Sequence, residues 1–185
     1  KLKHVKPSSS FRSKFAYNNL MFVVAGEVIA KVEGKPWSEV IAERIFNPLG
    51  MDDTRAKFSL IEKSQKNVAR AHVPLDGKLH KVGGNFLEQF SSAGSVGSSV
   101  NDMTKWIKAQ LKRGQFEQNK HLFSEEQSRT MWQPTTVLGV SKATEERDKT
   151  QFNSYGLGWF VGNYHGYKLV HHSGGILGMV SKVVL

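Results

Sequence analysis

The stretch Phe15-Ala16-Tyr17-Asn18-Asn19-Leu20, running on into an apolar segment that ends at Val32, organises the reading of this chain. Residues 18–32 read as a helix that is apolar on most faces, with Gly34 placed to cap its C-terminal end. A helix hydrophobic nearly all round belongs at the centre of a fold, so this one is expected to be buried. Its entrance is polar. The triplet Tyr17-Asn18-Asn19 can aim a phenol and an amide into one cleft. A tyrosine hydroxyl beside an ammonium group can be driven toward phenolate and serve as a general base. The asparagine amide offers both donor and acceptor to a substrate amide or ester. A capping asparagine next to a packing tyrosine would look the same, so both readings stand on the residues alone.

Outward from this helix, Pro36 suits the first turn of a second one. Trp37, Val40, Ile41 and Ile45 form its apolar stripe, and Asn47-Pro48 is expected to end it. Leu49-Gly50-Met51-Asp52-Asp53-Thr54 reads as a turn and connector. Residues 67–82 suggest a hairpin through Asp76-Gly77, and the small, Gly-rich residues 91–98 a tight loop. Ser99 with Asp102 resembles a capping arrangement, followed by Val100, Met103, Trp106, Ile107 and Leu111 at helical spacing, with Gly114 beyond. Ser124 with Gln127 starts a short helix that stops before Pro134. Residues 139–153 read as a charged loop. Strands are expected at 156–161, 168–172 and 178–185, with Asn163-Tyr164-His165-Gly166 turning between the first two. Helices, a small β excursion, more helices and an antiparallel meander make an α+β fold.

The second polar island is Val170-His171-His172-Ser173-Gly174-Gly175-Ile176-Leu177-Gly178. Adjacent glycines after a strand let a ligand backbone come close to the sheet edge. An N–H there can donate to a developing oxyanion, worth about 3–4 kcal/mol of barrier per donor. An imidazole just before it can orient a leaving group or a carboxylate. The same residues also fit a Gly-Gly turn flanked by a surface histidine pair. A metal site built on His165, His171 and His172 is disfavoured, because strand alternation sends His171 and His172 to opposite faces and no carboxylate lies near in sequence.

Composition narrows the function classes. There is no cysteine, which removes disulfides, thiolate metal sites and thiol nucleophiles. The formal charge of +10 invites a nucleic-acid partner, yet the Lys and Arg residues are scattered, with no run of five and no aromatic-basic stripe. No nucleic acid is therefore expected as a partner. No apolar stretch approaches the ~18–20 residues that span a bilayer, and no signal peptide is visible in the chain as given.

More than two triplets agree with one known family, in order. Ile45-Phe46-Asn47-Pro48-Leu49-Gly50-Met51-Asp52-Asp53-Thr54 is similar to its Pro-Leu-Gly-Met turn, and Ser92-Ala93-Gly94-Ser95-Val96-Gly97-Ser98-Ser99 to its small-residue loop. Tyr155-Gly156-Leu157-Gly158-Trp159 resembles the strand before its last motif. With Tyr17-Asn18-Asn19 and His172-Ser173-Gly174 these resemble the penicillin-recognising serine hydrolases: class C β-lactamases, D-alanyl peptidases and related esterases. The resemblance implies acyl-enzyme chemistry on a small-molecule or peptide substrate with an amide or ester bond, and no cofactor or metal. It makes Tyr17 the general base, Asn19 the substrate-amide contact and His172 the Lys/His of the Lys/His-x-Gly motif. Ser173 and Gly174 line the substrate, and Gly175 supplies an oxyanion N–H. His172 in place of lysine leans toward esterase or peptidase relatives. The family's Ser-x-x-Lys nucleophile motif occurs nowhere in the 185 residues. Residues 1–185 are thus expected to be a single partial domain, a helical lobe and part of the sheet, without the nucleophile segment and the final strands and helix. Such a piece would self-associate through uncovered apolar surface and a free strand edge. A periplasmic or secreted location is favoured by resemblance only.

Overall fold

In the computed structural model, which describes residues 4–64, 67–83 and 88–185, helix α1 (Asn19–Glu33) begins and ends where its polar punctuation places it. Asn18 is extended and its Oδ1 accepts from the Leu20 N–H at 2.9 Å. Gly34 closes the helix at φ 69°, a left-handed conformation that costs glycine least. The expected burial of this helix is not found. Gly26 is its one buried residue, while Leu20, Met21, Val28, Ile29 and Val32 are exposed, Val32 at 79%. The helix is closely packed at Gly26, where a Cβ would sit 2.3 Å from Ser92 Oγ. Ser92 Oγ donates to the Phe22 carbonyl at 3.0 Å.

Two units make up the chain, each with its own contacts. The helical unit holds residues 18–128 and 173–182; the sheet unit holds the residues up to Tyr17, 129–172 and 183–185. In the helical unit α2 (Trp37–Ile41) starts after Pro36, which precedes the first turn rather than joining it. It continues through a π-helical turn, Ala42–Phe46, into α3 (Asn47–Leu49). Asn47-Pro48 therefore does not end the helix, against expectation. The wider turn shifts the pattern, the Asn47 N–H reaching the Ala42 carbonyl, so the ring of Pro48 is accommodated. Gly50 ends it instead, at φ 62°. The Gly50 N–H bonds the Asn47 carbonyl at 3.0 Å and the Met51 N–H the Phe46 carbonyl at 2.8 Å, a Schellman pair. Phe46 and Met51 are buried together with Ala56, and Trp37, Ile41, Ile45, Leu49, Met103 and Trp106 pack against them.

Next come α4 (Phe58–Ser64), then β1 (His72–Leu75) and β2 (Lys78–Lys81), an antiparallel hairpin turned by Asp76 and Gly77, both at positive φ. The small-residue loop contains a helical turn, α5 (Ser91–Gly94), whose Ser92 packs on Gly26. Only the first half of the expected capping arrangement forms at α6 (Val100–Leu111): Ser99 Oγ accepts from the Asp102 N–H at 3.2 Å. The Asp102 carboxylate turns away, accepting from the Asp53 N–H and Thr54 Oγ1, each at 2.8 Å, and from Lys105 Nζ at 3.1 Å. Burial alone would raise its pKa; the bonds from Thr54, Lys105 and Asp53, with the lysine charge, outweigh that and hold it below the ordinary value. Lys105 also bonds the Gly50 carbonyl. One side chain thus ties α6 to the turn that follows α3. A short β3 (Gln115–Glu117) and β4 (Lys120–His121) pair antiparallel before α7 (Glu125–Met131).

The sheet is a five-stranded antiparallel meander in the order β5 (Thr136–Leu138), β6 (Asn153–Tyr155), β7 (Phe160–Tyr164), β8 (Tyr167–Ile176) and β9 (Met179–Val184). β5 and β6 were not expected, and Gly156 to Trp159 links β6 to β7 instead of opening a strand. The charged segment holds a helix, α8 (Lys142–Asp148), capped by Ser141 Oγ accepting from the Thr144 N–H at 3.2 Å. Buried Asn163 anchors the return from it: its Oδ1 accepts from the Gln151 N–H at 2.7 Å and its Nδ2 donates to the Lys149 carbonyl at 3.0 Å. Asn163 is thus part of β7, and His165-Gly166 alone, both at positive φ, make the turn. Among the described residues no helix is long and apolar enough to cross a membrane.

Asp102→Ala is expected to cost about 2–4 kcal/mol in urea unfolding at neutral pH, because it strands several donors. The folded carboxyl titrates below its ordinary value, so its contribution is complete above about pH 4 and is lost as the pH falls further. The stability gap between wild type and Asp102→Asn should therefore shrink below pH 4. Gly26→Ala should cost about 1–3 kcal/mol by forcing α1 away from Ser92.

Candidate active site

The sheet unit builds its site from three adjacent strands. Register places Tyr155 of β6 opposite Phe160 of β7, and Phe160 opposite His171 of β8. The row is packed: Tyr155 and Phe160 meet edge-to-face at 4.8 Å between centroids, and Phe160 stacks on His171 at 5.4 Å. Phe15, from the segment before α1, covers the row, 5.3 Å from Tyr155 and 6.3 Å from Phe160. This segment carries Tyr17 into the same group.

Tyr17 and His172, the two sequence-predicted residues of this unit, come together. Their ring centroids are 5.9 Å apart, and Tyr17 meets Tyr155 edge-on at 6.1 Å. Tyr17 is about half exposed, at 47%, so the phenol of this cluster is open to a ligand. His172 leans over Phe160 as well, at 5.6 Å, although alternation was expected to carry it to the face opposite His171. β7 begins at Phe160, and its register with β8 runs from Phe160–His171 to Tyr164–Tyr167. Among the described residues, no group of three or more histidines and carboxylates is arranged to hold a metal ion.

Tyr155 was missed as a site residue. Its hydroxyl lies 3.3 Å from His172 Nε2. Burial, and then the neighbouring Tyr17, push the Tyr155 phenol up to about 12, so it is protonated at neutral pH. The available signal was its place at the start of an aromatic-glycine stretch, but only cross-strand register shows that it reaches the imidazole.

The remaining predicted residues belong to the helical unit. Asn19 is the exposed first residue of α1, and it is Asn18 that does the capping. Ser173, Gly174 and Gly175 lie exposed on the outer half of β8. A Cβ at Gly174 would come within 2.5 Å of Ser181 Oγ across the hairpin, so that hydroxyl would have to turn aside. A Cβ at Gly175 would meet nothing within 4 Å. Its backbone therefore faces open space, where another chain could approach it.

Comparison with known proteins agrees with the family that the sequence resembles. The Beta-lactamase family model matches residues 1–184. The unguisins hydrolase ungD' of Aspergillus campestris is 29% identical over 195 residues, covering 100% of this chain and 33% of that protein. The D-alanyl-D-alanine-carboxypeptidase/endopeptidase AmpH of Escherichia coli K12 is 32% identical over 100 residues, 54% of this chain and 24% of that one. The octameric penicillin-binding protein homologue from Pyrococcus abyssi superposes with a TM-score of 0.81 at 25% identity, covering 96% of this chain and 37% of its own. The chain spans about a third of the length of the first curated relatives it matches. With the family model running through nearly every residue, this chain belongs to the beta-lactamase family of serine hydrolases.

Proposed function

We propose that this chain carries the base and oxyanion side of a serine acyl-transfer site for amide or ester bonds, of the D-peptidase, amidase or esterase kind. The observation that carries the reading is the meeting of Tyr17 and His172 in one aromatic cluster, 5.9 Å apart, from opposite ends of the chain. The names of the relatives, a D-alanyl-D-alanine carboxypeptidase and an unguisins hydrolase, support it.

The roles follow from the chemistry of each group. A serine hydroxyl attacks the substrate carbonyl as Tyr17, the general base, takes its proton. The Gly175 N–H stabilises the oxyanion of the tetrahedral intermediate. Asn19 holds the substrate amide, Ser173 and Gly174 line the acyl group, and His172 orients the leaving group as it takes the proton. Water then hydrolyses the acyl-enzyme. Tyr155 is unsuited to be the base, since its phenol holds its proton to about pH 12. No Ser-x-x-Lys occurs in the 185 residues, so in this reading the nucleophile is contributed by polypeptide outside them. The same observation favours a second reading, a non-catalytic module that recognises peptidoglycan peptides or acyl groups.

Intact-mass analysis after fluorophosphonate treatment separates the alternatives. This chain is expected to take up no label. A stoichiometric adduct would reveal a nucleophilic serine within these residues and overturn the assignment. In the full product of the gene, one serine outside residues 1–185 should be labelled, and Tyr17→Phe should lower kcat by about 10²–10⁴-fold on acyl-D-alanyl-D-alanine. Binding of that peptide without labelling or turnover would establish the second reading.

A further inference from the structure

We propose that Tyr155 is a positioning residue for His172, donating its hydroxyl proton to Nε2 and so fixing the neutral imidazole as the Nδ1–H tautomer. The inference rests on the proposed role of His172 and deepens it. Three features of the sheet unit carry it. Tyr155 Oη and His172 Nε2 are 3.3 Å apart. Tyr155 itself is held by neighbours on several sides: Phe160 opposite it in register, Phe15 edge-on and Tyr17 at its rim. The imidazole is likewise confined, lying 5.6 Å from Phe160 and 5.9 Å from Tyr17.

A hydroxyl and a ring nitrogen at this distance can bond in either direction, according to the tautomer, and the proposed one has the phenol donating. A protonated phenol can donate, and a neutral imidazole has one nitrogen with a lone pair and one with a proton. With Nε2 occupied as acceptor, the proton must reside on Nδ1. The half-buried phenol does not ionise near neutral pH, so the donor is constant over the range in which imidazoles titrate. Two tyrosines thus flank one histidine with separate tasks: Tyr17, the more open, faces chemistry, and Tyr155 sets the state of the ring. Protonating His172 reverses this bond, since Nε2–H must then donate to the phenol oxygen. Tyr155 can serve both forms without moving, because a hydroxyl both donates and accepts.

Long-range ¹H–¹⁵N spectra of the histidine rings test this on the chain itself, with His172→Gln used to assign the His172 signals. In wild type the neutral His172 ring is expected as a single Nδ1–H tautomer, with Nε2 unprotonated. Tyr155→Phe keeps the ring packing and removes only the hydroxyl, and should give a mixture of tautomers. A wild-type ring with its proton on Nε2 would overturn the proposal whether or not the variant folds. So would an unchanged tautomer in a folded Tyr155→Phe. Titrating acyl-D-alanyl-D-alanine into wild type reads the underlying assignment separately. Movement of His172 signals with no Nδ1–H preference sinks the tautomer proposal alone, whereas a fixed tautomer with no ligand response sinks the substrate-site reading alone.

Discussion

The carboxylate of Asp102 is the contact on which the helical unit depends. It is buried at 2% exposure, and its acceptor capacity is taken by Asp53, Thr54 and Lys105. An ionised carboxylate out of water is costly unless such partners replace its hydration. That requirement fixes where the turn after α3 lies on α6, and with it Phe46 and Met51, whose backbone bonds close the same turn. The π-helical turn just before Pro48 serves the same end. It lets the helix reach Gly50, whose left-handed conformation aims the chain at Asp102.

The sheet unit relies on a different device, a row of rings running across neighbouring strands. Tyr155, Phe160 and His171 are registered by backbone pairing, so the cluster inherits the sheet's rigidity. Phe15 and Tyr17 then pack on that row from the segment leading to α1. The proposed site needs a phenol and an imidazole held side by side, and a sheet supplies that without a loop having to be ordered for the purpose.

Features with local physical causes were legible in the sequence. Asn18 and Gly34 bound α1, Ser99 and Ser124 cap their helices, and Asp76-Gly77 turns its hairpin, because each satisfies its neighbours' backbone groups. Features set by tertiary contact were not. β5 and β6 are three residues each, too short for an alternation to show, and exist because their neighbours pair with them. α8 carries no apolar stripe, and its ends are fixed by Ser141 and by the left-handed Lys149. The apolar run of α1 reads as buried, yet Gly26 is its one buried residue. The site divides in the same way. Tyr17 and His172 are candidates read from motifs, whereas the contact of Tyr155 becomes visible only when register brings it to an imidazole seventeen residues later in the chain.

The central claim is that Tyr17 and His172 form one substrate-facing site. It is tested most directly by following their ring resonances together during a titration of this chain with acyl-D-alanyl-D-alanine, using the L,L isomer as control. Shifts at both rings that fit one dissociation constant, with the L,L peptide far weaker, are the predicted result. Saturable binding that leaves both rings unmoved while perturbing another surface would contradict the account.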